Sequence, residues 1–436
     1  MGSLLPAVVA GLAIFGGYTY GPGIKRTATL FGLNRPAINT TVAHGGDLVF
    51  IGDTTHCEDI HHHIASGLLF TACEDDPKTR EAWFPPLATF ADGLKAQDSQ
   101  GSIHVIDPKD LTAKRLRFEN FQGPFITHGI DVITDPAKPD AVYVFAVNHV
   151  PHPDYLAQLS GKGDGKATEK ARSQVEIFHH ILGSSTIKHV RSVRHPLVRT
   201  PNDIFVKDPH SFYVTNDHFH REGHLRLVED VWRGTSWTDV VHVSIDELSA
   251  LNPTDGIRAE VAHGGLHNAN GLGHYKPGRI LIDDCSAGIM HLGKLSSDPK
   301  NTTISIADSI GFDTTIDNPS WFEDSYRSET RDDSGFVVPG INKVLDLVKT
   351  LGKPSGKISS IVWYVRPVAD CSSADADAGA CWEKRLLFED DGTRISSAAG
   401  AVMVGIDPAK ENGQKKAWLF VTGFYSSNVV AVKVDL

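Results

Sequence analysis

Short apolar runs recur along the chain at a nearly even interval. Leu68-Leu69-Phe70-Thr71, Val142-Tyr143-Val144-Phe145, Phe212-Tyr213-Val214-Thr215, Ile280-Leu281-Ile282-Asp283 and Ala417-Trp418-Leu419-Phe420 are split from one another by Gly, Pro, Asn and Asp, and several end in polar residues. The first four begin about 70 residues apart, and the fifth follows about two periods after the fourth. A missing member is therefore expected near residue 350, and SSIVWYV at 359–365 fits. A second, alternating type of run follows most of these: Ile103-His104-Val105-Ile106, Val175-Glu176-Ile177-Phe178, Val240-Val241-His242-Val243, Ile289-Met290-His291-Leu292 and Val429 to Val434. Two strand signatures in most of the six periods predict four-stranded blades with long loops. The fold class expected is all-β, a six-bladed β-propeller with an N-terminal hydrophobic segment. A solenoid would need shorter repeats, and a sandwich would not keep an even period along the whole chain. Because the sequence stops right after a strand pattern, the segment from Asp47 to Ile51 is expected to complete the last blade.

The stretch from Leu4 to Tyr20 breaks this pattern, being almost wholly apolar and uncharged. It reads as a leader or membrane anchor over residues 1–24, with the propeller domain in 25–436, and implies the secretory pathway: secreted, or held at the endoplasmic reticulum or another membrane. Lys25 and Arg26 follow it and no charged side chain precedes it, an order that by the positive-inside rule disfavours translocation of the rest. The alternative is a buried N-terminal helix. Pro6 stands where a myristoylation signal needs Ser or Thr. The formal charge of −11 over 436 residues argues against a nucleic-acid surface and suits a protein that gathers carboxylates around a hard cation. Of the five cysteines, Cys371 and Cys381 flank a small-residue loop and are the best disulfide pair, Cys57 and Cys73 could bridge neighbouring strands, and Cys285 is left over. Asn39-Thr40-Thr41 and Asn301-Thr302-Thr303 are glycosylation sequons, consistent with the same oxidising compartment.

Five segments hold acidic or amide residues in unusual pairs: Glu58-Asp59, Asn202-Asp203, Asn216-Asp217, Asn270 within Ala269-Asn270-Gly271, and Asp317-Asn318. Most fall in different modules, so a propeller would bring them to one axis. Carboxylate and amide oxygens without cysteine are what calcium prefers. Any single pair is also ordinary turn chemistry. His128 and His149 fall in the same part of the pattern, and histidine is the usual general base near neutral pH. His61-His62-His63, and His218, His220 and His224, invite a transition-metal reading. Strand alternation, which puts neighbouring histidines on opposite faces, favours the structural one.

At these residues the chain resembles the serum paraoxonase/arylesterase family in a divergent, fungal-type form. The matching segments, in the family's order, are CEDI (57–60), THGI (127–130), VNH (147–149), PNDI (201–204), FYVTNDH (212–218), ANG (269–271) and DN (317–318). The resemblance implies a six-bladed propeller with two calcium ions in its channel. A catalytic ion would be held by Glu58, Asn202, Asn270, Asp317 and Asn318. A deeper structural ion would be held by Asp59, Asp203 and the carbonyl of Ile130. His128 and His149 would form a histidine dyad, and His218 matches a further channel histidine. The chain departs from the family in lacking a cysteine near either terminus, so ring closure must rest on strand pairing. The loops around 155–172 and 323–357 are enlarged.

The implied reaction is hydrolysis of a small ester or lactone, with phosphotriesters as promiscuous substrates. The N-terminal segment is the one feature pointing to a membrane partner. Two other readings compete. One is a non-catalytic propeller in which calcium is structural and a face binds a partner. The other is a strictosidine-synthase-like propeller, whose calcium-free channel has no need of so many oxygen ligands.

Overall fold

The computed structural model describes residues 21, 23–36, 42–43, 48–166, 169–232, 234–350, 356–368 and 381–436. The expected leader and the Asn39 sequon fall almost entirely outside them. Residues 23–30 are helical, and Arg26 from this helix pairs with Asp313 at 3.0 Å. No helix among the described residues is long and apolar enough to cross a membrane.

The protein is mostly β-sheet. β1 (Val42–Ala43) and β2 (Leu48–Ile51) precede a series of antiparallel meanders. The first consists of β3 (Cys57–His63), β4 (Leu68–Cys73), β7 (Ser102–Asp107) and β8 (Thr112–Glu119), with the small hairpin β5 (Trp83–Phe84) and β6 (Thr89–Phe90) inserted after β4. The second is β9 (Thr127–Asp135), β10 (Lys138–Asn148), β11 (Gln174–Ile181) and β12 (Thr186–Val193). It joins the first through parallel pairing of β8 with β12, so the two form one eight-stranded sheet. The third is β13 (Pro201–Asp208), β14 (Ser211–Asn216), β15 (Thr238–Ile245) and β16 (Ile257–Leu266). The fourth is β17 (Ala269–His274), β18 (Arg279–Asp284), β19 (Ile289–Leu295) and β20 (Ile304–Gly311). The fifth runs β21 (Ser320–Phe322), β22 (Gly335–Ile341), β23 (Ser360–Pro367) and β24 (Trp382–Asp390), with β1 added at its outer edge. The last has β25 (Ala398–Ile406), β26 (Lys416–Gly423) and β27 (Val429–Asp435). Its fourth strand is β2, paired antiparallel to β27 from Leu48↔Val432 to Ile51↔Val429, as the polarity pattern predicted.

The first strands of successive meanders lie side by side: β3 against β9, β9 against β13, β13 against β17, β17 against β21, β21 against β25, and β25 against β3. Around this circuit the arrangement is propeller-like. The periodic apolar runs are second strands in five cases (β4, β10, β14, β18, β26), and 359–365 falls on β23. Second strands are apolar on both faces because each packs against the neighbouring meander. Phe145, Ile177, Ile204, Phe212 and Val241 form one such interlayer cluster, and Phe70, Ile103, Ile130 and Val144 another. Each fully buried side chain of this kind stabilises the fold by about 1.5–3 kcal/mol. Cys57 and Cys73 are directly opposed in the β3–β4 ladder and form a disulfide. Cys381 is disulfide-bonded too, while Cys371 lies outside the described residues. Cys285 is a free thiol.

Candidate metal centre

A regular strand sends consecutive side chains to opposite faces. Five of the six first strands break that rule at the same end. Against their second strands, β3, β9, β13, β17 and β25 each carry one extra residue, where the register jumps from Cys57↔Cys73 to Ile60↔Thr71, Thr127↔Asn148 to Ile130↔Ala146, Pro201↔Asn216 to Ile204↔Val214, Ala269↔Asp284 to Leu272↔Ile282, and Ala398↔Gly423 to Ala401↔Val421. Such β-bulges re-aim side chains. The bulged pairs are Glu58-Asp59, His128-Gly129, Asn202-Asp203, Asn270-Gly271 and Ala399-Gly400, and Asp317-Asn318 occupies the corresponding place before β21. Glu58-Asp59, Asn202-Asp203, Asn270 and Asp317-Asn318 of the sequence all fall at these places, where the side chains can face one channel, whereas Asn216-Asp217 lies at the end of β14, where Asn216 accepts the N–H groups of Arg199 and Thr200.

Glycine alternates with a polar side chain at the second bulge position, for reasons of space. A Cβ on Gly129 would lie 2.4 Å from Asp203 Oδ1, and one on Gly271 would lie 2.5 Å from Asn318 Cα. The glycines let Asp59, Asp203 and Asn318 reach the axis from alternate meanders.

All the predicted calcium side chains except Asp317 and Asn270 are under 5% exposed, and Asn270 Oδ1 is itself fully buried. Glu58 and Asn318, from the first and fifth meanders, meet across the channel through a 3.0 Å bond from Asn318 Nδ2 to Glu58 Oε1. Glu58 Oε2, Asn202 Oδ1, Asn270 Oδ1 and Asn318 Oδ1 are buried without a hydrogen-bond partner. Leaving such atoms unmet is expensive. Burial pushes the Glu58 carboxyl well above the usual range, and the charges of Asp317 and Asp59 push it further. Burial and then Asp283 do the same to Asp317, and burial and then Asp59 to Asp203. Unmet hard oxygens beside mutually repelling carboxyls are the donor set of a cation such as calcium, so the residues present fit that ion.

The deeper set is built differently. Asp59 Oδ2 accepts the Ile130 N–H at 3.0 Å and lies 3.0 Å from His61 Nε2, while Asp203 accepts the N–H of Ile204 at 2.7 Å and of Leu272 at 2.6 Å. Ligand atoms of Asp59, His61 and Asp203 lie within 4.8 Å of one another. His61 thus belongs here, contrary to its reading as a structural strand histidine, because the bulge at Glu58-Asp59 changes which face the next residues take. Its Nδ1 lies 3.3 Å from Asp131 Oδ1, and Asp131 Oδ2 meets His274 Nε2 at 2.7 Å. A cavity of about 360 Å³ opens against Asp59, His61, Asp131 and His274.

His128 and His149 stand at the opposite end. His128 Nε2 is 3.8 Å from Glu58 Oε1, its Nδ1 is 3.2 Å from His149 Nε2, and His149 Nδ1 is 2.8 Å from Ser173 Oγ. Burial pushes His128 down to about 4 against the pull of Asp217, and burial and then His128 hold His149 well below the ordinary value. Both rings are neutral bases near pH 7. Phe84 presents its ring edge-on to His128 at 5.2 Å, and the insertion that carries it covers this end. Beside His149, Ser173, Asp217 and Pro86 only about 10 Å³ is open. His218 sits between Asp217 at 3.1 Å and Asp230 at 2.9 Å, and His220 meets Glu229 at 2.6 Å; both rings are held by carboxylates. Another concavity, about 980 Å³, lies by Tyr326, Trp418 and Lys433 and contains none of the predicted ligands.

The fold and site define a class: propeller-like β proteins with an oxygen-lined centre at the channel axis. Residues 166–319 match the Arylesterase family. The chain is 32% identical over 197 residues to chicken (Gallus gallus) serum paraoxonase/arylesterase 2, covering 43% of this chain and 46% of that protein. It is 29% identical over 247 residues to human (Homo sapiens) serum paraoxonase/arylesterase 1, covering 54% and 59%. Over these regions the chain is similar to serum paraoxonase/arylesterases, and the matched region spans about half the length of these curated relatives. A solved aldose sugar dehydrogenase from Streptomyces coelicolor aligns over 92% of this chain and 99% of its own with a TM-score of 0.44 at 10% identity. The family match contains PNDI, FYVTNDH, ANG and DN, whereas CEDI, THGI and VNH lie outside it.

Proposed function

We propose that the chain is a calcium-dependent hydrolase of esters and lactones, with the six meanders forming the blades of a closed propeller in 25–436. The observation that carries this reading is the convergence of four buried, unpartnered oxygens, on Glu58, Asn202, Asn270 and Asn318, beside a neutral histidine pair. Glu58, Asn202, Asn270, Asp317 and Asn318 would hold one calcium, and Asp59, Asp203 and Ile130 a second. Bound calcium would polarise the substrate carbonyl and offset the charge that develops on its oxygen. His128 is the base: its Nε2 faces the centre and takes a proton from the attacking water, while its Nδ1 is backed by His149, which Ser173 orients. Phe84 and the two prolines after it exclude bulk water from this end. The relatives' names, paraoxonase/arylesterase, support aryl esters as the first substrates to try. The N-terminal segment would anchor the protein in the secretory pathway.

Hydrolysis of phenyl acetate and of a δ-lactone should be measured with calcium, after chelation, and after calcium is restored. Activity that disappears and returns is the expected result. Turnover unaffected by chelation would remove the metal from the reaction. No turnover together with a calcium-dependent melting temperature would point to a binding propeller with structural calcium.

A further inference from the structure

Every expected ligand comes from the start of a first strand. Asp283 does not: it lies near the end of the apolar run in β18, a second strand, and neither the resemblance nor the polarity pattern singles it out. It is 0% exposed, and neither of its carboxyl oxygens has a hydrogen-bond partner.

Its place in the ladder shows what it faces. The register from Ala269↔Asp284 to Leu272↔Ile282 puts Asp283 opposite the bulge that carries Asn270 and Gly271. In the third and sixth meanders the same place holds Thr215 and Thr422. Both hydroxyls reach the first strand of the next meander: Thr215 Oγ1 donates to the Asn270 carbonyl at 2.6 Å, and Thr422 Oγ1 to the Glu58 carbonyl at 2.7 Å. In these two meanders the position behind the bulge thus reaches the ligand segment of the next one. For Asp283 the corresponding segment is Asp317-Asn318. Gly271, directly opposite, is already in close contact with it, since a Cβ there would lie 2.8 Å from Asn318 Oδ1. Asp283 is also the largest charge acting on Asp317. Threonine fits this place because it can donate to a carbonyl. An ionised carboxylate cannot donate, and burying one without a counter-charge costs several kcal/mol.

We propose that Asp283 is a further carboxylate of the metal centre, contributed by a second strand behind Asp317 and tuning how tightly a divalent cation is held. This rests on the reading of the centre as a calcium site. A carboxylate beside the ligand pair raises the negative charge available to the ion, and loss of such a supporting group typically weakens metal affinity about 10–100-fold. The rival account is that Asp283 stays protonated and donates a hydrogen bond as threonine does in its sister meanders.

Asp283→Thr separates the two, with Asp283→Asn as an isosteric check. The full chain is stripped with chelator and titrated with calcium by calorimetry, and melting temperatures are taken with and without calcium. Calcium affinity about tenfold or more weaker in both variants is expected, with a metal-free melting temperature equal to or above that of the parent. Unchanged calcium affinity in Asp283→Thr overturns the proposal, as does an equal loss of melting temperature with and without calcium. If the parent protein binds no calcium, the underlying reading fails and this inference falls with it. If the parent binds calcium and the variants match it, only the inference fails.

Discussion

The sharpest consequence of the site concerns acid. His128 is buried, and burial carries its pKa to about 4 against the opposing pull of Asp217. As pH falls, an ordinary histidine base near 6.5 would lose nearly all its neutral form by pH 5, whereas one near 4 would keep roughly nine-tenths of it. kcat/KM for phenyl acetate should therefore stay level from pH 9 to about pH 5 and drop on an acid limb near 4. His128→Gln should lower kcat/KM by about 10²-fold, about 2.7 kcal/mol of barrier and the low end for a general base because a base of low pKa is a weak one. The carboxyls of Glu58 and Asp317 also take up protons as pH falls, which competes with the metal. Repeating the profile at two saturating calcium concentrations separates these effects: a limb that moves with calcium belongs to the ligands, and one that stays belongs to His128. A fixed limb near 6.5, or a His128→Gln variant within about threefold of the parent, would show that His128 is not the base.

Other outcomes follow from particular contacts. Asp317→Ala should abolish calcium-dependent hydrolysis, and full retained activity would remove Asp317 from the ligand set; Asp59→Ala, at the deeper set, should act mainly on stability, read as melting temperature. Gly271→Ala forces a methyl to within 2.5 Å of the Asn318 backbone, so it should cost about 1–3 kcal/mol in denaturant titration and weaken calcium binding. A variant as stable as the parent would mean that this approach relaxes freely. Replacing Cys57 and Cys73 by alanine opens a covalent loop with a sequence separation of 16 and should cost about 3 kcal/mol; a loss under about 1 kcal/mol would contradict the chain-entropy account.

The second strands were legible because both of their faces are buried, which writes a continuous apolar run into the sequence. The first strands were not, since pairs such as Glu58-Asp59 and Asn202-Asp203 read as turn chemistry when taken alone. What marks them as strands is the bulge, a property of register between two strands that no single segment carries. The ligand pairs were nonetheless visible, because at Glu58-Asp59 and Asn202-Asp203 two adjacent polar residues fill the bulge and that adjacency survives in the sequence. His61 was set aside on strand alternation, the very rule the neighbouring bulge suspends. Asp283 was counted as the polar end of an apolar run, and its lack of a partner is visible only in three dimensions.

The bond between Glu58 and Asn318 joins residues 260 positions apart, and β2 pairs with β27 across nearly the whole described chain. The outer ligand set needs Asp317 and Asn318 as well as Glu58, so no early portion of the polypeptide, as it leaves the ribosome, holds all of it. An ion held by that outer set would therefore be captured late in folding, after the slow long-range closures have been made. An ion that binds only the finished ring withdraws that species from the unfolding equilibrium. Calcium supply would then set how much complete protein accumulates, and a cell compartment poor in calcium would contain open rings and few closed ones.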